Sequence, residues 1–143
     1  MATGGVSFTF NTAKLDAKIR RRLAETPQAT EKIMHQIAVF IEKEAKLRAP
    51  VDQGNLTADI RSMVAESPKG AVAVVYVPVN SPASPYAIAM HENDYKLGPN
   101  SEEKQRKVGV VVGRKYLIRA ITENAERIRS RIAWNLKKWG WTK

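Results

Sequence analysis

The sequence contains no cysteine, which excludes disulfides, thiolate metal sites and a cysteine nucleophile and is compatible with a reducing cytoplasm. It has no apolar run near the roughly 20 residues that a membrane span requires. Its first ten residues lack a basic segment followed by a long apolar core, so we expect no secretory signal. We therefore expect one domain over residues 1–143, with a flexible start at 1–5, no membrane partner, and stability from packing or from partner subunits.

Catalytic motifs are also missing. The sequence has no phosphate-binding, dinucleotide-binding, zinc-protease or nucleophile-elbow motif, and its carboxylates are scattered. The adjacent pair His91-Glu92 invites a catalytic interpretation, but neighbouring helical side chains point about 100° apart and do not converge on one atom. His35 has no carboxylate cluster beside it, which argues against a metal role. We predict no catalytic, cofactor-binding or metal-binding residues, and an enzyme such as a small nuclease is the most distant hypothesis.

Positive charge is abundant and unevenly distributed. The formal net charge is +10, and residues 113–143 hold nine basic and two acidic residues. A basic helix suggests a nucleic-acid partner, because binding phosphates releases counterions. A solvated helix face, or one matched to an acidic neighbouring subunit, explains the same charges. The residues expected to contact DNA or another subunit are Arg127, Arg129, Arg131, Lys137 and Lys138.

Apolar residues recur at helical spacing in three long segments. They predict a helix after a cap at Asn11 or Thr12, a second over residues 27–47 and a third over about 114–139. Alternation predicts strands at 6–10 and 56–64, while residues 71–77 are apolar on both faces and need cover on both sides. The predicted fold is α+β: a small antiparallel sheet (a hairpin at about 56–79 plus candidate short strands at 6–10 and 108–112) packed against long N-terminal and C-terminal helices.

Residues 96–107 are polar, rich in turn-forming residues and nearly free of apolar anchors. Such a segment buries too little surface to offset its ordering entropy, so we predict a mobile loop. A long polar loop inside a small domain tends to be functional, and docking on a neighbouring subunit would order it.

Three short segments complete the pattern. The first follows the second helix, where Pro50 ends the hydrogen-bond ladder and Gly54 permits a sharp corner; it carries Pro50, Asp52, Gly54 and Leu56. The second lies on a predicted short helix over 86–92 and carries Tyr86, Ala87, His91 and Glu92. The third opens the last helix and carries Gly113, Lys115, Tyr116 and Leu117.

In this order and at these spacings, the three segments resemble those of the neck and tail-completion proteins of tailed bacteriophages, often labelled minor capsid or minor tail proteins. The resemblance covers about residues 12–135. The chain departs from that family at Gln53, where Thr or Ser is usual, and at Asn93-Asp94, where small residues often stand. The tail beyond Ile132, with its tryptophans, has no counterpart in the family.

The resemblance implies a structural virion protein, assembled in the host cytoplasm, that forms a homo-oligomeric ring (a hexamer or dodecamer) in head–tail joining or tail completion. Its partners would be adjacent neck or tail rings and DNA passing through the channel, with no cofactor and no catalysis. The residues that match the family motifs would have structural roles. The alternative hypothesis is a small basic DNA- or RNA-binding protein that uses its C-terminal helix.

Overall fold

The computed structural model describes residues 6–11, 17–25, 27–51, 55–67 and 70–138. The predicted flexible start at 1–5 and the Trp139–Trp141 end of the predicted last helix lie outside the described residues. The elements follow in the order β1 (Val6–Asn11), α1 (Ala17–Glu25), α2 (Pro27–Arg48), α3 (Asn55–Asp59), β2 (Arg61–Ser67), β3 (Gly70–Val77), α4 (Ser84–Glu92), α5 (Pro99–Val108), α6 (Tyr116–Thr122) and α7 (Ala125–Lys138). The α+β prediction, with an antiparallel sheet packed on helices, is confirmed.

The sheet has three antiparallel strands in the order β1-β3-β2. Phe8 lies opposite Val75 and Met63 lies opposite Val74. Ala73, Val75 and Val77 of β3 join the core, whereas Val72 and Tyr76 on the opposite face stay partly exposed. Because β1 and β2 pair with both edges of β3, this strand offers no free edge to a further strand, and α2 packs against the sheet to cover one of its two apolar faces.

The core sits between this sheet and α2, α6 and α7. Pro27 begins α2, where its missing N–H costs nothing. On α2 the residues Ile33, Ile37, Ile41 and Ala45 recur every four positions and are fully buried. The predicted apolar stripe of the last helix is confirmed at Leu117, Ile121, Ile128, Ile132 and Leu136, which are all buried, but not at Ala125, which is exposed.

The predicted hairpin begins too early in the sequence. Residues 55–59 form the short helix α3, and β2 starts at Arg61. Leu56 and Ile60 are both buried, and a spacing of four satisfies one helical turn as well as it satisfies alternation. The Asp59 carboxylate accepts a hydrogen bond from the Ala83 N–H at 2.8 Å, which ties this turn to the start of α4.

The last helix is interrupted at Glu123–Asn124, so the prediction of one continuous helix is wrong. The Asn124 N–H bonds to the Ile121 carbonyl, and its side-chain amide donates to the Ala120 carbonyl at 2.9 Å. In a regular α-helix the Ala120 carbonyl would accept the Asn124 backbone N–H, but here it accepts the Asn124 side-chain amide instead. This exchange separates α6 from α7 without leaving that carbonyl unsatisfied.

The prediction of a loop over 96–107 is also wrong, because Pro99–Val108 forms helix α5. Gly98 and Gly109 flank the helix, and Gly109 adopts the left-handed conformation (φ 76°) common at helix ends. Buried Ser101 exchanges hydrogen bonds with the Val51 N–H and carbonyl, and Lys104 Nζ donates to the Lys46 and Ala49 carbonyls at the end of α2. Polar anchors replace the apolar ones that this segment lacks.

The candidate strand at 108–112 is likewise wrong. Val108 is the last residue of α5, and the following residues form an irregular connection to α6. This connection includes Gly109 and Gly113, both at positive φ, which is incompatible with a regular strand.

Arg48, the last residue of α2, is a buried cation with partners on three elements. Its Nη1 donates to the Glu44 carboxylate at 2.8 Å and its Nε donates to Glu123 Oε1 at 2.9 Å. Glu44 Oε1 also accepts from the Asn124 amide at 3.3 Å. The Arg48 carbonyl accepts the Gly113 N–H at 2.8 Å, so this one residue joins α2 to the α6–α7 junction and to the loop before α6.

We expect Arg48→Met to lower the free energy of unfolding by about 3–5 kcal/mol, because it leaves the buried Glu44 carboxylate without its cation. Arg48→Lys restores a point charge but not the forked geometry, so it recovers only part of the loss. The matched control is Arg106→Met, whose exposed partner is Glu103; it should change the free energy by less than about 0.5 kcal/mol. Urea unfolding followed by circular dichroism measures all three. Equal effects of Arg48→Met and Arg106→Met would contradict the assignment.

Candidate functional site

The third motif segment bonds to the second and to the end of α2, although the chain separates these parts by tens of residues. The Gly113 N–H donates to the Arg48 carbonyl, two residues before Pro50, at 2.8 Å. The Lys115 N–H donates to the His91 carbonyl at 2.8 Å, and the Tyr116 hydroxyl donates to the Ala87 carbonyl at 2.7 Å. The third segment therefore bonds to the second segment and to the end of α2, directly before the first segment. We call this arrangement the motif junction.

His91 lies at the centre of the motif junction and is fully buried. Its ring stacks on Phe8 of β1 with centroids 4.7 Å apart and meets the Tyr116 ring edge-on at 5.0 Å. Nε2 accepts the Ile118 N–H at 3.3 Å, so the proton of the neutral ring is on Nδ1, which donates to Glu92 Oε2 at 2.8 Å. Burial lowers the pKa of His91 below its ordinary 6.5, which keeps the ring neutral at pH 7.

Glu92 and Lys115 close the exposed side of the junction. Lys115 Nζ lies 2.5 Å from Glu92 Oε1, and this hydrogen bond, together with the one from His91, lowers the pKa of the Glu92 carboxyl. Lys115 adopts a left-handed backbone conformation (φ 62°), which is uncommon for a residue other than glycine. The Arg114 Nε donates to the Glu92 carbonyl at 2.9 Å. Hydrogen bonds on both sides of the turn hold it in this conformation.

The remaining motif residues contribute packing. Pro50, Leu56 and Leu117 are buried, and burial raises the pKa of the Tyr116 phenol above its ordinary value. Tyr86 is partly exposed at the start of α4. Asp52 and Gly54, with the departure at Gln53, lie outside the described residues. Both ring nitrogens of His91 and the hydroxyl of Tyr116 are engaged in hydrogen bonds within the protein, and these bonds position α4 against the start of α6.

A cavity of about 500 Å³ borders the junction between Tyr95, Leu97, Val111 and Arg119. Arg119 crosses it, donating to the carbonyls of Arg114 and Val111 at 2.9 Å each. Each cation that lines the cavity forms an ion pair with a carboxylate: Arg114 with Asp94, Lys115 with Glu92 and Arg119 with Glu123. Glu123 is shared with Arg48, and Nη2 of Arg119 is buried without a hydrogen-bond partner among the residues that the structure describes.

The five predicted contact cations all lie exposed on α7. Arg127 and Arg131 are four residues apart on one face, and the Arg131 guanidinium lies 4.2 Å from the centre of the Phe40 ring. Lys138 lies on that same face, with Nζ 5.3 Å from the ring centre of Trp134. Arg129 points elsewhere on the helix and lies 3.9 Å from Glu126. Helix α7 thus brings three of the five cations onto one face.

Neither a metal cluster nor a membrane span is present in the described ranges. Residues 6–11, 17–25, 27–51, 55–67 and 70–138 contain no group of three or more His, Asp or Glu side chains placed to hold a metal ion. None of the helices in these ranges is both long enough and apolar enough to cross a lipid bilayer.

Comparisons of the chain with protein-family models, with curated proteins and with solved structures find no match. The family therefore stays a prediction. The motif junction has to be interpreted from its own geometry, together with the residues that the sequence pattern did not single out. Those residues are Phe8, Arg48, Ser101, Lys104 and Asn124.

Buried neutral His91 predicts that the protein loses stability as the pH falls. Its pKa is lower in the folded chain than in the unfolded chain, so the unfolded chain binds the proton first and is favoured at low pH. The free energy of unfolding should decrease by up to about 1.4 kcal/mol per pH unit below about pH 6.5. Urea titrations between about pH 7 and pH 5 measure this slope, above the range in which carboxylates titrate.

The His91→Gln variant should show a flatter slope, whatever its absolute stability. The control is His35→Gln, which removes an exposed histidine of α2 and should keep the slope of the unmodified protein. A slope that survives in His91→Gln and disappears in His35→Gln would contradict the assignment.

Proposed function

We propose that this protein is a structural subunit of a phage neck or tail terminus and assembles into a homo-oligomeric ring. The observation that carries the proposal is the motif junction, in which the third segment of the sequence resemblance bonds to the second and to Arg48, which lies two residues before the first. Residues that act together in an architectural motif are expected to fix each other's position in this way. A catalytic constellation would instead direct free polar groups into a cleft.

The junction is suited to a subunit whose surfaces must keep fixed relative positions. It links the end of α2, helix α4 and the start of α6, and the first strand contributes Phe8. Arg48 extends the same connections to Glu123 and to the α6–α7 junction. Elements from both ends of the chain are therefore joined into one unit, which would hold the surfaces that face neighbouring subunits at fixed relative angles.

The subunit interface is expected around α4. Val79, Tyr86 and Ile88 are large exposed hydrophobic residues on the β3–α4 connection and on α4 itself. Such a concentration within ten residues favours contact with another protein over contact with water. The outer face of β3 adds the partly exposed Val72 and Tyr76. In the ring, these surfaces would contact a second copy of the chain, and adjacent neck or tail rings would bind above and below.

Native mass spectrometry and electron microscopy of the purified protein test the proposal directly. We expect a closed ring, and we expect the protein in the neck or tail of purified virions. A purely monomeric protein that is also absent from virions would contradict the proposal.

The interface prediction is tested with the double variant Val79→Asp/Ile88→Asp, which should dissociate the ring into folded monomers because it buries two unpaired carboxylates at each contact. Val39→Asp, at an equally exposed valine of α2, is the matched control and should leave the ring intact. Dissociation by Val39→Asp alone would place the interface elsewhere. Circular dichroism confirms that each variant is folded.

A further inference from the structure

Helix α7 carries a line of cations interrupted by one exposed aromatic side chain. Arg127, Arg131, Trp134 and Lys138 are spaced at i, i+4, i+7 and i+11, so they lie along one face of the helix. We call this line the α7 ridge. The opposite face is in the core, where Ile128, Ile132 and Leu136 are buried. The ridge is therefore held straight and directed outward.

The cations of the ridge lack the carboxylate partners found elsewhere. Among the described residues, the ridge cations Arg127, Arg131 and Lys138 form no ion pair, and Arg127 donates only to the neutral Asn124 amide oxygen at 3.4 Å. By contrast, Arg48, Lys115 and Arg119 each pair with a glutamate. Unpaired charges on a straight helix attract counterions, and their release is the main driving force for binding a polyanion.

Trp134 gives the ridge a second property. Trp134 is 56% exposed, which is high for a large aromatic residue. Lys138 Nζ lies over its ring, and Arg131 in the preceding turn is held against Phe40. An exposed indole between cations can stack on a nucleobase while the cations bind the flanking phosphates.

We propose that the α7 ridge binds single-stranded nucleic acid, with Trp134 stacked on an unpaired base. The ridge covers twelve residues, or about 16 Å of helix, which is long enough to follow several phosphates of a single strand. The inference rests on α7 alone and does not require the ring, so the two proposals succeed or fail separately.

Three other occupants fit less well. A membrane surface would require an apolar face, and the apolar face of α7 is buried in the core. A second copy of the chain offers little negative charge, because the net charge is +10 and most described carboxylates already form ion pairs. Duplex DNA presents phosphates, but its bases are stacked on each other and leave Trp134 without a partner.

Fluorescence anisotropy with labelled oligothymidylate of about 20 nucleotides, and with a duplex of the same length, tests the proposal. We expect tighter binding of the single strand. Trp134→Ala should weaken it by about 5- to 150-fold, since one base–aromatic stack is lost, whereas Trp134→Phe should retain most of the affinity. Arg127→Gln should reduce the slope of log K against log salt by about 0.7, and Trp134→Ala should leave that slope unchanged.

The matched control is Arg106→Gln, which removes one exposed positive charge from α5 and should change neither affinity nor salt slope. Quenching of Trp134 fluorescence by the same oligonucleotide, in a Trp139→Phe/Trp141→Phe background, reports stacking without altering the ridge. Absence of quenching, equal or tighter binding of the duplex, or unchanged affinity in Trp134→Ala would overturn the proposal. Binding to anionic vesicles but not to oligothymidylate would do the same and would favour a membrane surface.

Discussion

The buried guanidinium of Arg48 is the interaction on which the rest of the structure depends. A charge that is removed from water must be matched by opposite charge and by hydrogen bonds, and Arg48 obtains these from Glu44 in its own helix and from Glu123 beyond α6. Asn124 shares the Glu44 carboxylate and interrupts the last helix at the same place. The carbonyl of Arg48 also accepts a hydrogen bond from the Gly113 N–H. One residue thus fixes the angle between α2 and α6 and places the loop that carries Lys115 and Tyr116.

A second, uncharged centre complements this cation. His91 is neutral, stacked on Phe8 and bonded on both ring nitrogens, so it holds α4 against β1 and the start of α6 without a desolvated charge. Arg48 and His91 are linked through the short segment from Gly113 to Lys115, which donates to the carbonyls of both. The proposed ring function depends on this rigidity. The α7 ridge lies outside this unit, and its cations form no ion pair among the described residues.

The sequence predicted most of the fold because most of it follows apolar periodicity. Helix α2, the stripe of α6 and α7, and strand β1 show clear spacing, and β3 is a continuous apolar run. Periodicity failed where polar contacts decide the structure. Helix α5 is held by hydrogen bonds of Ser101 and Lys104 to the end of α2. A local sequence pattern cannot predict such long-range hydrogen bonds. The side-chain amide of Asn124 breaks the last helix, but the apolar stripe continues on both sides of it, so the sequence pattern gives no sign of the break. At α3, a spacing of four fitted helix and strand equally well.

The motif junction could be predicted as three segments but not as one site. The spacing Glu44–Arg48 was a visible signal of an i,i+4 pair, whereas the partners Glu123 and Gly113 come from distant sequence. The central claim is that these segments form one cooperative unit. Native-state hydrogen exchange of the Gly113, Lys115 and Ile118 amides tests it most directly, with the Ile41 amide of α2 as reference. The account predicts that all four exchange with the same free energy of opening, equal to that of global unfolding. Exchange of Gly113 and Lys115 through a low-energy local opening, while Ile41 stays protected, would contradict it.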